Sequence, residues 1–282
     1  MANGDLDTLY KNRKASLWVE DSLTRQYLKA VWGEDLNLAI LVAGGTESVR
    51  GLTSKARQAG HGCVFGICDR DFGSTNRSRW SATTDVFRLD MHEIENAALH
   101  DDQVLADAAA ALGGRRDAKA IQSMLATTAQ DCSWGMALGA TLRWLHEQHN
   151  DGFPDSRGLL GVRERDAAFA RIEASRWWLD TLPQLGATMA RDRVAERLDA
   201  EHARFDADVA TGAFRRSFAG KALLEHLASW LLQSGHSGAR PRLEDLVKKV
   251  GELQRATRSV PGEIGEIERC IAEAIRGPDT DG

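Results

Sequence analysis

The sequence predicts an α/β fold, in which a central parallel sheet with flanking helices is followed by a mainly helical C-terminal region. Over the first 100 residues, short apolar runs alternate with helical stretches, and this order gives βαβ units and therefore a parallel sheet. From about residue 101, Ala, Leu, Arg and Glu dominate and apolar residues recur at intervals of three and four, as in amphipathic helices. We expect one domain over residues 1–112 and a helical domain over residues 113–282.

Each expected strand of the first domain is a short apolar run that contains β-branched or aromatic residues. The third run, Gly62–Cys68, stops abruptly on acidic residues, as a buried strand does when it ends at the rim of a parallel sheet. Asp21 provides a capping signal for the first helix. The expected strands are Ala15–Val19, Leu36–Val42, Gly62–Cys68 and Asp85–Leu89, and the helices between them run from about Leu23 to Trp32 and from about Glu47 to Gln58.

Helical periodicity continues to the end of the second domain. The stretch Asn150–Gly158, rich in Asp, Gly and Pro, is the clearest loop. The expected helices are Asp102–Leu112, Lys119–Thr128, Trp134–Gln148, Glu164–Leu179, Thr188–Phe205, Gly220–Leu232, Leu243–Ala256 and Glu263–Ile275.

Composition excludes some classes of protein. A net charge of −5 argues against a generally basic protein that coats nucleic acid, although a local basic groove remains compatible with it because the distribution of charge decides. No stretch approaches the ~20 apolar residues of a membrane span, and the first residues lack the features of a signal peptide, so we expect a cytoplasmic protein without a membrane partner. The four cysteines form no CxxC pair and are expected to be reduced and mostly buried.

Acidic residues follow three of the predicted strands. Glu20 follows the first strand, Asp69 and Asp71 follow the third, and Glu93 and Glu95 come shortly after the fourth. Because the carboxyl ends of parallel strands meet at one edge of a sheet, these side chains are expected to lie close together. Clustered carboxylates repel one another unless a cation lies among them. The sequence therefore predicts a magnesium site that handles phosphate.

The order and type of these motifs resemble the TOPRIM domain of topoisomerases, primases of the DnaG type and OLD-family nucleases. In that family a glutamate follows the first strand, glycine follows the second, and an Asp-x-Asp pair follows the third. The matching residues here are Glu20, Gly44 and Gly45, and Asp69 and Asp71. Gly44 and Gly45 alone fit either a close approach of the backbone or a tight turn.

Two further segments resemble a smaller TOPRIM branch of the OLD-like type, which includes the nuclease effectors of PARIS-type phage defence. They are the acidic segment Asp90–Asn96 and the pair Gly220 and Lys221, which is followed by Ala-Leu-Leu. The resemblance is specific over about residues 15–100. Beyond them, only Gly220, Lys221 and the helical character match.

The resemblance implies metal-dependent cleavage of a nucleic acid, either tRNA, another RNA or DNA. Glu20 would act as general acid/base or metal ligand, Asp69 and Asp71 would bind Mg²⁺ or Mn²⁺, and Glu95 would be a further acidic ligand. Lys221 would stabilise developing negative charge. The resemblance also implies an ATPase partner of the ABC or AAA type, bound through the helical half, which holds the nuclease inactive; a homodimer is a further open alternative.

The chain departs from the family at one position. OLD-type enzymes place an aspartate four residues after the glutamate, whereas this chain has Thr24, so a candidate ligand for a second metal is absent. His92 and His100 flank the acidic segment, and we expect each of them on a helix surface or in the core.

Two alternatives belong to other functional classes. A non-catalytic scaffold or sensor could keep the fold to bind phosphate or an ATPase, but it would gain nothing from clustered carboxylates. A phosphatase of the haloacid-dehalogenase type also uses Asp-x-Asp. In such enzymes a small residue and Thr normally follow the motif, whereas Phe72 and Gly73 follow it here, and Glu20 would have no role.

Overall fold

The computed structural model of the chain describes residues 10, 15–33, 37–72, 80–114, 117–149, 159–175, 191–233 and 242–276. Its strands are β1 (Ala15–Val19), β2 (Leu38–Val42), β3 (Val64–Cys68) and β4 (Val86–Arg88). They form one four-stranded sheet in the order β2-β1-β3-β4, and each neighbouring pair is parallel. The expected parallel α/β sheet is therefore confirmed.

Alternate residues of the central strands pack on opposite faces of the sheet. Leu17 and Phe65 belong to the main buried cluster on one face. Trp18 and Val64 belong to a smaller cluster on the other. Because both faces are covered, every residue of β1 and β3 is buried.

Two helices follow the first two strands. Helix α1 (Ser22–Trp32) packs into the main cluster through residues that include Tyr27. Helix α2 (Thr46–Gln58) covers the other face and approaches β3 closely. A Cβ atom added to Gly66 would lie 2.6 Å from Val49 Cγ1 of α2, so only glycine fits at this contact.

The rest of the described chain is helical, as expected. A 3₁₀ helix precedes the first of these helices and another lies between the second and third. No helix in the described ranges combines the length and apolar character needed to cross a membrane. The helices are α3 (Asp102–Ala111), α4 (Ala118–His149), α5 (Arg165–Glu173), α6 (Arg191–Thr211), α7 (Phe214–Ser217), α8 (Gly220–Gln233), α9 (Leu243–Thr257) and α10 (Gly262–Arg276), and the 3₁₀ helices are Ile94–Leu99 and Leu159–Gly161.

Helix α4 corrects the expectation of two separate helices over Lys119–Thr128 and Trp134–Gln148. The polar residues between them favoured a break, but they are accommodated within a continuous helix. Ser133 is buried, and its hydroxyl lies 3.0 Å from Nε2 of His202 on α6. A buried polar residue with a partner on the neighbouring helix does not interrupt a helix.

Several other boundaries differ from the expectations. Helix α5 ends at Glu173, before the expected end at Leu179, which lies outside the described residues. Helix α6 extends to Thr211 rather than Phe205. The 3₁₀ helix Ile94–Leu99 and α7 were not expected, because segments of six and four residues are too short to show a helical period.

The expected state of the cysteines is confirmed, since all four are free thiols. Cys63 is half-buried and the other three are buried. The expected loop Asn150–Gly158 lies outside the described residues. The division into two domains after residue 112 stays a prediction.

Helix α9 ties the C-terminal helices to the sheet domain. A Cβ atom on Gly251 would lie 2.9 Å from Ala30 Cβ of α1, so the two helices pack at close range. Gln254 of α9 is completely buried. It accepts a hydrogen bond from the Tyr27 hydroxyl at 2.7 Å and donates one to the Ala97 carbonyl at 2.8 Å. One side chain therefore connects α1, α9 and the first 3₁₀ helix.

Replacing this buried amide is expected to destabilise the fold. Gln254→Ala removes the partner of the buried Tyr27 hydroxyl and leaves the Ala97 carbonyl with only the 3.4 Å hydrogen bond from His100 N–H, and we expect it to lower the free energy of unfolding by about 2–4 kcal/mol. Urea denaturation measures the change. The matched control is Gln103→Ala, because the Gln103 amide is exposed and donates to Asp107 on its own helix. Equal stability of the two variants would contradict the bridging role.

Candidate metal-binding cleft

The order of the strands creates a crevice at the carboxyl edge of the sheet. From β1 the chain crosses to β2 on one side, and β3 pairs with β1 on the other side. Ligands of open parallel sheets bind at such a switch point. Glu20 follows β1 and Asp69 follows β3. The two acidic residues therefore flank the crevice, as the sequence analysis expects.

Glu20 is held by two hydrogen bonds. Its Oε1 accepts one from the Thr46 hydroxyl at 2.8 Å and one from the backbone N–H of Asp69 at 3.0 Å. Burial raises the pKa of Glu20, and these hydrogen bonds partly oppose the rise because they favour the charged form. The carboxyl group thus joins the ends of β1 and β3.

Gly44 and Gly45 form the turn that places Thr46 beside Glu20. Their φ angles are +92° and +141°, which glycine adopts without strain. A Cβ atom on either residue would meet nothing within 4 Å. Among the described residues nothing packs against these two positions, so the turn conformation explains why glycine occurs at both.

Asp69 and Glu95 form the buried part of the cleft. Asp69 Oδ1 accepts a hydrogen bond from the Ile94 N–H at 3.0 Å. Glu95 is only 2% exposed, and its Oε1 has no hydrogen-bond partner among the described residues. Burial raises the pKa of Asp69, and the charge of Glu95 raises it further. Burial, followed by the charge of Glu93, raises the pKa of Glu95 to about 8.

A second group of side chains lies beside this pair. One ligand atom each of Asp71, His92 and Glu93 lies within 4.8 Å of the others. The His92 backbone connects the group to its surroundings, because its carbonyl accepts a hydrogen bond from Asp71 N (2.9 Å) and its N–H donates one to Arg216 O (2.7 Å). Asp71 has a φ of +50°, a left-handed conformation that Asp tolerates better than most residues.

His92 is buried, as one of the two expectations had it, but its place beside Asp71 and Glu93 was not expected. It is 3% exposed, and burial followed by the charge of Arg70 lowers its pKa to about 3, so the imidazole is neutral and able to bind a metal. A lone histidine carries no sequence pattern. The only signal available was its position next to Glu93, shortly after a strand.

Phe72 connects Asp71 to both His92 and helix α4. Its ring makes an edge contact with the His92 ring, with 4.8 Å between the ring centroids. On the helix, a Cβ atom added to Gly139 would lie 2.3 Å from Phe72 Cζ. The aromatic ring therefore lies directly against the backbone of α4.

Glu93 and Lys221 link the cleft to helix α8. Glu93 forms a capping box with Asn96 at the start of the 3₁₀ helix, and its Oε2 accepts a hydrogen bond from the Lys221 N–H at 2.9 Å. Gly220 permits this approach, since a Cβ atom there would lie 2.6 Å from Asn96 N. The Lys221 ammonium lies 3.9 Å from Asp21 Oδ2, which places it at the rim of the cleft.

The structure brings most of the expected site residues to one edge of the sheet, but it groups them differently. Asp69 and Glu95 lie together with Glu20. Asp71 shares its close group with His92 and Glu93 instead. Thr24 is buried in α1 and provides no carboxylate at the position where OLD-type enzymes have aspartate.

The raised pKa values predict how the metal-free protein responds to pH. A carboxyl group with a raised pKa holds its proton more tightly in the folded chain, so the folded state loses stability as pH rises through the shifted range. For Glu93 the pKa rises from 4.5 to about 7, and for Glu95 from 4.5 to about 8. In EDTA, Glu95→Gln is expected to match the wild type near pH 4 and to become increasingly more stable than it up to about pH 8.

Urea denaturation across this pH range measures the difference in the free energy of unfolding. Glu225→Gln, which changes an exposed glutamate of α8, is the control and should not diverge from the wild type. If the difference in the free energy of unfolding between Glu95→Gln and the wild type stays constant from pH 4 to pH 8, the pKa of Glu95 is not raised by folding.

Comparison of the chain with models of known protein families, with curated proteins and with solved structures finds no match in any of the three.

Proposed function

We propose that this chain is a metal-dependent nuclease with a TOPRIM-type catalytic domain, which cleaves phosphodiester bonds of tRNA, another RNA or DNA. The observation that carries the proposal is the convergence of Glu20 and Asp69 at the switch point of the sheet, beside the buried and unpartnered oxygen of Glu95. The order of these residues along the chain also matches the TOPRIM motifs.

The donor atoms of the cleft fit Mg²⁺ or Mn²⁺. Asp69 and Glu95 are the proposed ligands beside Glu20, and Asp71 is the proposed ligand on the side of His92 and Glu93. Carboxylate oxygens are the donors that both ions prefer. Glu95 Oε1 is buried without a hydrogen-bond partner among the described residues, and leaving a carboxylate in that state is costly. When bound, the ion would polarise a phosphoryl oxygen and lower the pKa of water.

Glu20 and Lys221 have properties that suit catalysis. The raised pKa of Glu20 brings it closer to neutrality, where a carboxyl group can exchange protons with water or a leaving oxygen. The hydrogen bonds from Thr46 and Asp69 fix its orientation. Lys221 is half-exposed at the rim, where its charge would stabilise negative charge on a phosphate.

Five arginines lie within electrostatic range of one another or of Asp71, and such a group suits a polyanionic substrate. They come from the loop after β3, from β4 and from helices α4, α6 and α7. Although the whole chain is acidic, a local group of guanidinium ions attracts phosphate backbones. Arg88 and Arg143 act electrostatically on Asp71, and Arg204 and Arg216 act on Arg70.

The proposed biological role is an effector of anti-phage defence in the cytoplasm. A constitutive nuclease would be toxic, and the sequence contains no GxxxxGK[ST] nucleotide-binding loop. A separate ATPase of the ABC or AAA type, bound through the helical half, would therefore hold the nuclease inactive. This part of the proposal is supported by the TOPRIM resemblance alone.

A direct test incubates the purified chain with Mg²⁺ or Mn²⁺ and separate pools of tRNA, single-stranded DNA and plasmid. Cleavage of one pool that is abolished by EDTA supports the proposal and identifies the substrate. If metal and nucleic acid both bind but no pool is cleaved, in the presence or absence of the native ATPase, the non-catalytic scaffold is the better assignment.

Charge removal at the crevice is expected to abolish cleavage. Asp69→Asn keeps the shape of the side chain but removes a charged ligand, and Glu20→Gln removes the group that would transfer a proton; both should lower the rate by at least about 100-fold. Lys221→Ala should cost less, because the ion already neutralises part of the charge. Thr24→Ala should change the rate little.

The control for these variants is Asp85→Asn, which changes an exposed aspartate next to the opposite end of the sheet. Cleavage is followed on gels, and circular dichroism verifies the fold of each variant. Full activity in a folded Asp69→Asn protein would overturn the proposed site.

The arginines predict the salt dependence of binding. Arg143→Gln should weaken binding of nucleic acid about equally for all sequences and reduce the slope of log affinity against log salt by about 1. Fluorescence anisotropy of a labelled single-stranded oligonucleotide in EDTA measures both quantities. Arg171→Gln, an exposed arginine of α5, is the control; an equal loss in both variants would argue against a phosphate contact at Arg143.

A further inference from the structure

We propose that Asp71, His92 and Glu93 form a second metal centre beside Glu20, Asp69 and Glu95, and that this centre prefers a divalent transition metal such as Mn²⁺ to Mg²⁺. The inference deepens the proposed function, on which its catalytic role rests. Metal binding at the centre can be measured without any nucleic acid.

The His92 imidazole and the Glu93 carboxylate are spaced for a shared ion, and Asp71 lies close to both. Their ligand atoms lie within 4.8 Å of one another, and His92 Nε2 lies 3.9 Å from Glu93 Oε1, which is longer than a hydrogen bond. Two donors that each lie ~2.1 Å from one ion are at most ~4.2 Å apart. The imidazole and the carboxylate are therefore within the range of a common ion.

The backbone fixes these donors before any ion binds. Asp71 N donates to the His92 carbonyl, which joins the loop after β3 to the segment after β4. The second oxygen of Glu93 is occupied by the Lys221 N–H, so Oε1 is the oxygen that faces His92. A metal ligand whose other atoms are held by hydrogen bonds is already oriented for coordination.

Glu95, a proposed ligand of the first centre, also borders the second group. It is 2% exposed and its Oε1 has no partner among the described residues. The neighbouring charge that acts on it most strongly is that of Glu93. A buried, unpartnered carboxylate next to a ligand group is stabilised by a bound cation.

The donor set determines the preferred metal. Mg²⁺ favours oxygen donors and rarely uses imidazole, whereas nitrogen donors favour first-row transition metals. Glu20, Asp69 and Glu95 offer oxygen alone, but His92 adds a nitrogen to the second group. Thr24 of α1 provides no carboxylate for a second metal. The ligands of that metal would instead come from the segments that follow β3 and β4.

The test measures Mn²⁺ binding by electron spin echo spectroscopy and by titration of the purified full-length chain. We expect a modulation from ¹⁴N in the Mn²⁺ signal that changes in ¹⁵N-labelled protein. His92→Gln should abolish this modulation and lower Mn²⁺ affinity by at least about tenfold, with a smaller effect on Mg²⁺ affinity. His100→Gln, at the exposed end of the first 3₁₀ helix, should leave both unchanged.

The wild-type spectrum decides the question even if His92→Gln fails to fold. Mn²⁺ binding without nitrogen modulation, or no Mn²⁺ binding, would overturn the inference. Glu93→Gln provides a second variant, which should weaken Mn²⁺ binding while the imidazole is retained. Cleavage in Mg²⁺ without nitrogen modulation would support the proposed nuclease and contradict the second centre. Nitrogen modulation without cleavage would support the second centre and contradict the proposed nuclease.

Discussion

Carboxyl groups buried close together at one edge of a parallel sheet are the constraint on which the structure depends. Asp69 and Glu95 each lose hydration, and each lies in the field of further carboxylates. Solvated loops would let such groups separate. Here the strand ends and the 3₁₀ helix hold them together, so the free energy gained by folding elsewhere must offset their repulsion. A fold that maintains such an arrangement is suited to binding a cation.

The C-terminal helices provide the support that keeps the carboxylates in place. Asn96 lies beside Glu95, and its side-chain amide donates to the carbonyls of Arg215 and Phe218, each at 2.8 Å. Gly220 lies against the same short helix, and Gln254 holds its middle through Ala97. The helical region therefore forms one wall of the cleft, and the sheet forms the other.

How much of this could be predicted depends on the range of the interactions. The sequence predicts the strands, the glycine turn and the positions of Glu20 and Asp69, because βα topology brings the carboxyl ends of all the strands to one edge. The grouping of Asp71 with His92 could not be predicted from the sequence, since it depends on a backbone hydrogen bond between two loops. The continuous α4 was missed for a similar reason, because Ser133 finds its partner on a helix distant in sequence.

The contact between Phe72 and Gly139 gives helix α4 a mechanical connection to the cleft. The helix has 32 residues and would be ~48 Å long at the usual rise per residue, so it extends well beyond its contact with Phe72. Phe72 is attached to Asp71 and lies against His92. Any displacement of α4 at Gly139 therefore also moves the ring that separates the helix from Asp71 and His92.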